Sequence, residues 1–81
     1  MYTKIQFGLD LKEILKKIQD PYEIGKWAFS IYWQHITDIE HDVRKIALTL
    51  NTMEDGPEFA FTYDELNKIS DDLIAGKEIK F

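Results

Sequence analysis

Apolar residues recur at helical spacing in four blocks along this chain, and each block opens on a pattern that starts helices. Leu11, Ile14, Leu15 and Ile18 fall at i, i+3, i+4 and i+7, with Lys12, Lys16 and Lys17 turned away from them, which is the layout of an amphipathic helix. Asp10-Leu11-Lys12-Glu13 reads as its capping box, with Leu9 and Ile14 placed as a hydrophobic staple. Asp20-Pro21-Tyr22-Glu23 starts a second helix, where proline at the first helical position has its φ already set and needs no N–H. This helix carries Ile24, Trp27, Ala28, Phe29, Ile31, Tyr32, Trp33 and Ile36, apolar around more than half its circumference, and so is expected at the centre of a bundle. Gly25 weakens its first turn by about 1 kcal/mol relative to alanine and lets a neighbouring helix come close.

Thr37-Asp38-Ile39-Glu40 is the third start signal, followed by Ile39, Val43, Ile46, Ala47, Leu50 and Met53 up to a stop at Asp55-Gly56-Pro57. Glu58-Phe59-Ala60-Phe61 alternates, but with no evident partner strand it is expected to be a loop that buries two phenylalanines. Thr62-Tyr63-Asp64-Glu65 forms a fourth capping box with Phe61 and Leu66 as its staple, and Leu66, Ile69, Leu73 and Ile74 continue to Ala75-Gly76. In the tail, Ile79 and Phe81 alternate with charges, a pattern open to folding back on the bundle, pairing with Ile5-Gln6-Phe7, or fraying. The expected architecture is all-α, a compact four-helix bundle over residues 1–81 as a single helical domain, with short extended segments at the termini left open.

Composition narrows the function. At 81 residues and 44% apolar content, the chain has the means for one core, and burial of about 60% of its unfolded surface has to hold it together. It has no cysteine, which removes disulfides and thiolate zinc sites and fits a cytoplasmic protein. Neither a signal-peptide pattern nor an apolar run of membrane-spanning length is present. The net charge of −5 is unevenly spread: residues 1–37 balance to +1, whereas residues 38–72 hold ten carboxylates against three cations, a balance of −7. An acidic half disfavours direct binding to nucleic acid or an anionic membrane and favours a basic partner.

Catalytic chemistry has little to stand on. His35 and His41 lie on either side of the break expected at Thr37, and with Asp38 or Asp42 they make too sparse a set for zinc. The adjacent acids Asp71-Asp72, Glu54-Asp55 and Asp64-Glu65 point about 100° apart on a helix and so cannot form the facing pair that acid–base catalysis needs. Asn51-Thr52-Met53-Glu54-Asp55-Gly56 lacks the spacing and closing glutamate of a calcium loop. No cofactor and no enzymatic activity are expected. The aromatics Trp27, Phe29, Tyr32 and Trp33 belong first to the core, yet four within seven residues cannot all face one core. Helical phase points Phe29 and Trp33 outward, as anchors of the kind found in protein interfaces.

Taken whole, the chain resembles the small helical immunity proteins with which bacteria protect themselves from their own nuclease toxins, in particular the colicin D-type group and immunity proteins of contact-dependent growth inhibition systems. The likeness rests on the Leu11 to Ile18 helix, the aromatic helix with Trp27-Ala28-Phe29 and Tyr32-Trp33, the acidic stretch from Asp38 to Met53, and the closing segment from Tyr63-Asp64-Glu65-Leu66 to Asp71-Asp72-Leu73-Ile74-Ala75-Gly76. That resemblance implies a non-enzymatic inhibitor, monomeric when free, that plugs the basic cleft of a tRNase-type toxin with carboxylates standing where substrate phosphates would lie. The residues offered for this role are Asp38, Asp42, Glu54, Asp55, Glu58, Asp71 and Asp72, with Trp33 and Tyr63 as anchors. It requires the carboxylates of the last two helices to share one negative surface. The alternative is a helical interaction or regulatory module that self-associates through its aromatic helix.

Overall fold

Thr3, rather than Asp10, starts the first helix. In the computed structural model, which describes residues 1–79 and Phe59 through its backbone only, helix α1 spans Lys4–Lys17. The Thr3 hydroxyl accepts from the Gln6 N–H, and the Gln6 side chain accepts from the Thr3 N–H, a complete capping box. The expected start at Asp10 is therefore corrected. Asp10 lies mid-helix, where its carboxylate accepts the Tyr2 hydroxyl at 2.5 Å, and Leu9 is 50% exposed instead of stapled. Starting seven residues earlier puts Phe7, Gly8, Leu11 and Leu15 on one buried face.

Helix α2 (Pro21–Gln34) begins as expected, with the Asp20 carboxylate accepting from the Tyr22 N–H at 3.1 Å. Ile24, Gly25, Ala28 and Ile31 are buried along it, while Tyr22, Phe29 and Trp33 are exposed, so fewer of its apolar residues face the core than their number suggests. Helix α3 (His41–Asn51) starts later than the Thr37-Asp38 signal. Ile39 is instead held in a bridge with Tyr2, in which the Tyr2 N–H donates to Asp38 O at 2.8 Å and the Glu40 N–H donates to Tyr2 O at 3.0 Å. The 3-10 turns Thr52–Glu54 and Pro57–Phe59 lead to α4 (Tyr63–Ile74), whose Thr62 and Glu65 form the expected box. These are the four α-helices of the described residues, and none is long and apolar enough to cross a membrane.

Past α4, Gly76 adopts φ 77°. The Lys77 N–H donates to Asp72 O and the Gly76 N–H to Leu73 O, the paired bonds of a Schellman turn that needs a left-handed residue at this position. The chain thereby reverses and Ile79 packs against the core, so the folded-back alternative holds up to Ile79. Lys80 and Phe81 lie outside the described residues, as does the expected burial of the Phe59 ring, while Phe61 is half-buried against the core.

Packing follows two helix pairs, α1 along α4 and α2 along α3. Each pair closes on a glycine. A Cβ on Gly8 would stand 2.8 Å from Leu73 Cβ and 3.0 Å from both Ile74 N and Ser70 O; one on Gly25 would stand 3.1 Å from Leu50 O. At Gly8 the contact is closer than side chains sustain, so glycine is required there, whereas at Gly25 a Cβ would need the neighbouring backbone to give by a few tenths of an ångström. The pairs share one core of Phe7, Leu11, Leu15, Ile24, Leu50 and Leu73, among others, with Phe7 and Trp27 bridging them at 5.5 Å between ring centres.

Gly8→Ala is expected to lower stability by about 2 kcal/mol, because the strain of overpacking exceeds the gain in helix propensity. The check is a urea midpoint that falls at unchanged slope, and a rise in midpoint would refute the close approach. Tyr2 supplies a pH-dependent counterpart. Its hydroxyl is held protonated well above the usual tyrosine range, first by burial, then by its bond to Asp10 and the charge of that carboxylate. A phenol whose folded pKa is raised contributes its full stabilisation below about pH 10 and loses it as pH climbs further. Tyr2→Phe should therefore cost about 1 kcal/mol at neutral pH and flatten the loss of stability above pH 10, read from thermal unfolding across pH.

Candidate partner-binding surfaces

The acidic residues fall into two groups once folded. Asp42 of α3 and Asp71 and Asp72 of α4 meet lysines. Asp42 lies 3.7 Å from the Lys4 ammonium, Asp71 accepts from Lys12 at 2.5 Å, and Asp72 is shared by Lys68 at 3.0 Å and Lys77 at 4.0 Å. Asp38 stands 3.4 Å from His35 Nδ1. These carboxylates do not form a common uninterrupted negative face. Asp42 borders a hollow with Lys4, Lys45, Glu78 and Ile79, whereas Asp72 borders a second hollow with Glu65, Lys68, Glu78 and Ile79. The surface along the returning tail is of mixed sign.

The second group sits where the 3-10 turns meet the start of α2. A shallow depression of about 370 Å³ is lined by Asp20, Pro21, Tyr22, Glu54, Gly56 and Pro57, among others. No cation lines it. Glu54 accepts from Asn51 Nδ2 at 2.7 Å, and the same amide reaches Gly25 O at 3.1 Å, which ties the turn to α2. The Glu58 carboxylate folds over Gly56, where a Cβ would meet Glu58 Oε2 at 2.7 Å. Asp55 and Glu58 are exposed and make no ion pair among the described residues, and Asp64 at the start of α4 is alike.

Of the aromatic anchors, Trp33 is 57% exposed and Tyr63 is exposed in the first turn of α4. Phe29 is exposed as helical phase indicated, Trp27 is half-buried beside Phe7, and Tyr32 is half-buried with the Arg44 guanidinium 5.9 Å from its ring. Sequence reasoning did not single out Asp20 or Glu78, which enter these hollows through the helix start and the returning tail. It also passed over Tyr22, exposed beside the acidic depression. Among the described residues no three His, Cys, Asp or Glu side chains gather as metal ligands, and no buried side-chain polar atom lacks a partner. No family model, curated protein or solved structure matches this chain.

The Lys12–Asp71 pair is solvent-exposed, with side chains 36% and 61% accessible, and pairs of this kind are worth about 0–1 kcal/mol. A double-mutant cycle on Lys12→Met and Asp71→Asn should give a coupling below about 1 kcal/mol that shrinks further in high salt. A larger, salt-insensitive coupling would mean that Asp71 is committed to the fold and unavailable to a partner.

Proposed function

We propose that this chain is a non-enzymatic inhibitor of the immunity-protein type, acting in the cytoplasm, which neutralises a basic tRNase-like toxin domain by covering its cationic cleft. One observation carries the reading: the −7 balance of residues 38–72 includes Asp55, Glu58 and Asp64, which are exposed and without an ion-pair partner among the described residues. Carboxylates with no local cation project their field into solvent, where it attracts a positively charged surface and repels a phosphate backbone. The set closest to this description is Glu54, Asp55 and Glu58 with Asp20, around the depression at the start of α2.

The carboxylates Asp38, Asp42, Asp71 and Asp72 join in a different manner. Each of the three lysine-paired ones is a surface contact of small net worth, so an incoming arginine takes the place of the local lysine at little cost. Trp33 and Tyr63 supply exposed aromatic area that a charged surface lacks.

Full-length protein isolated from its native host is expected to carry a basic nuclease domain in one-to-one ratio, with an association rate that falls as ionic strength rises. Asp55→Asn with Glu58→Gln should slow association about tenfold and leave the helical circular dichroism unchanged. Binding indifferent to salt, or an acidic partner, overturns the proposal.

A further inference from the structure

The depression at the start of α2 differs from the two tail hollows in its lining. Most of that lining is apolar or aromatic, from Pro21, Tyr22, Met53, Pro57 and Ala60. Asp20 and Glu54 complete it, and each carboxylate is fixed through one oxygen while the other stays open. Asp20 Oδ1 accepts the Tyr22 N–H at 3.1 Å, and Glu54 Oε2 accepts from Asn51 Nδ2 at 2.7 Å. Asp20 Oδ2 and Glu54 Oε1 make no hydrogen bond or ion pair among the described residues. Both tail hollows hold a lysine of their own, Lys68 in one, Lys4 and Lys45 in the other. This one holds none; Lys26 stands 5.6 Å from the centre of the Tyr22 ring and does not line it.

We propose that the depression is a socket for one arginine side chain of a protein partner. An apolar lining with oriented, open carboxylate oxygens fits a side chain that has an apolar stem and a cationic head. A neutral apolar residue seated there would cover both open oxygens without replacing their water, and an acidic one would be repelled. Lysine carries the right charge on a compact, strongly hydrated ammonium. A guanidinium is more weakly hydrated, lies flat against a ring, and can divide its five donors between two carboxylates. The volume, about 370 Å³, is at the small end of ligand pockets and suits a single side chain. The socket's chemistry stands on this lining; naming a toxin domain as the bearer of the arginine rests on the inhibitor reading.

N-acetyl-arginine amide titrated into the full chain is expected to shift the backbone amide signals of Tyr22, Glu54 and Gly56, with affinity about threefold or more above that of N-acetyl-lysine amide. Asp20→Asn with Glu54→Gln keeps the helix cap and the acceptor for Asn51 but removes both charges. It should weaken arginine binding about tenfold with the helical circular dichroism unchanged. Ala60→Phe, which narrows the depression and leaves every carboxylate in place, should abolish the preference for arginine over lysine. Shifts centred on Asp71 and Asp72, equal binding of the two amides, or arginine binding that both variants leave intact overturn the proposal. The two readings fail separately. An arginine amide that does not bind removes the socket while salt-dependent capture of a nuclease domain still stands, and absence of such a domain removes the inhibitor while the titration still finds the socket.

Discussion

The bundle depends on two places where helices touch through bare backbone. Gly8 brings α1 against the Ser70 to Ile74 stretch of α4, and Gly25 brings α2 against Leu50 of α3 and Glu54 of the 3-10 turn that follows it. Close approach multiplies dispersion contacts along the whole length of each pair, since packing attraction falls off steeply with a gap of even half an ångström. It also fixes each helix in rotation as well as in distance, because the glycine must face inward.

That rotation determines the surface. On α2, the buried face is centred on Ile24, Ala28 and Ile31 with Gly25 at its edge, and Tyr22, Phe29 and Trp33 lie beyond that edge, on the side turned to solvent. The aromatic stripe is thus a geometric by-product of the tight α2 to α3 contact. At the other end of the same contact, Asn51 links Gly25 to Glu54, which places the turn carrying Asp55 and Glu58 beside the start of α2. The interior constraint and the two outward features are therefore one arrangement seen from different sides.

What could be read in advance was local, and what could not was distant in sequence. The caps of α2 and α4 depend on residues within a turn, and Asp20, Thr62 and Glu65 serve as their spacing indicated. Asp10-Leu11-Lys12-Glu13 has the letters of a capping box, but Thr3 and Gln6 form one about two turns earlier, and a helix already running absorbs the second signal. The Thr37-Asp38 signal yielded to a pairing with Tyr2 that no local pattern announces. The acidic face suffered most, because a charge count along the chain cannot see that Lys12 meets Asp71 from 59 residues away or that Lys4 meets Asp42. Tyr22, by contrast, was legible, since its spacing to Phe29, Trp33 and Ile36 is present in the sequence; its place in the second helix's start signal drew attention away from it.

The two indoles of this chain sit in opposite surroundings. Trp27 is half-buried against Phe7 where the helix pairs join, and Trp33 stands in solvent at the far end of the aromatic stripe. Their fluorescence is therefore separable by a soluble quencher, which reaches Trp33 freely and Trp27 only as the junction opens. The molecule carries its own pair of optical reporters, one for the cohesion of its interior and one for whatever comes to rest on its outer helix.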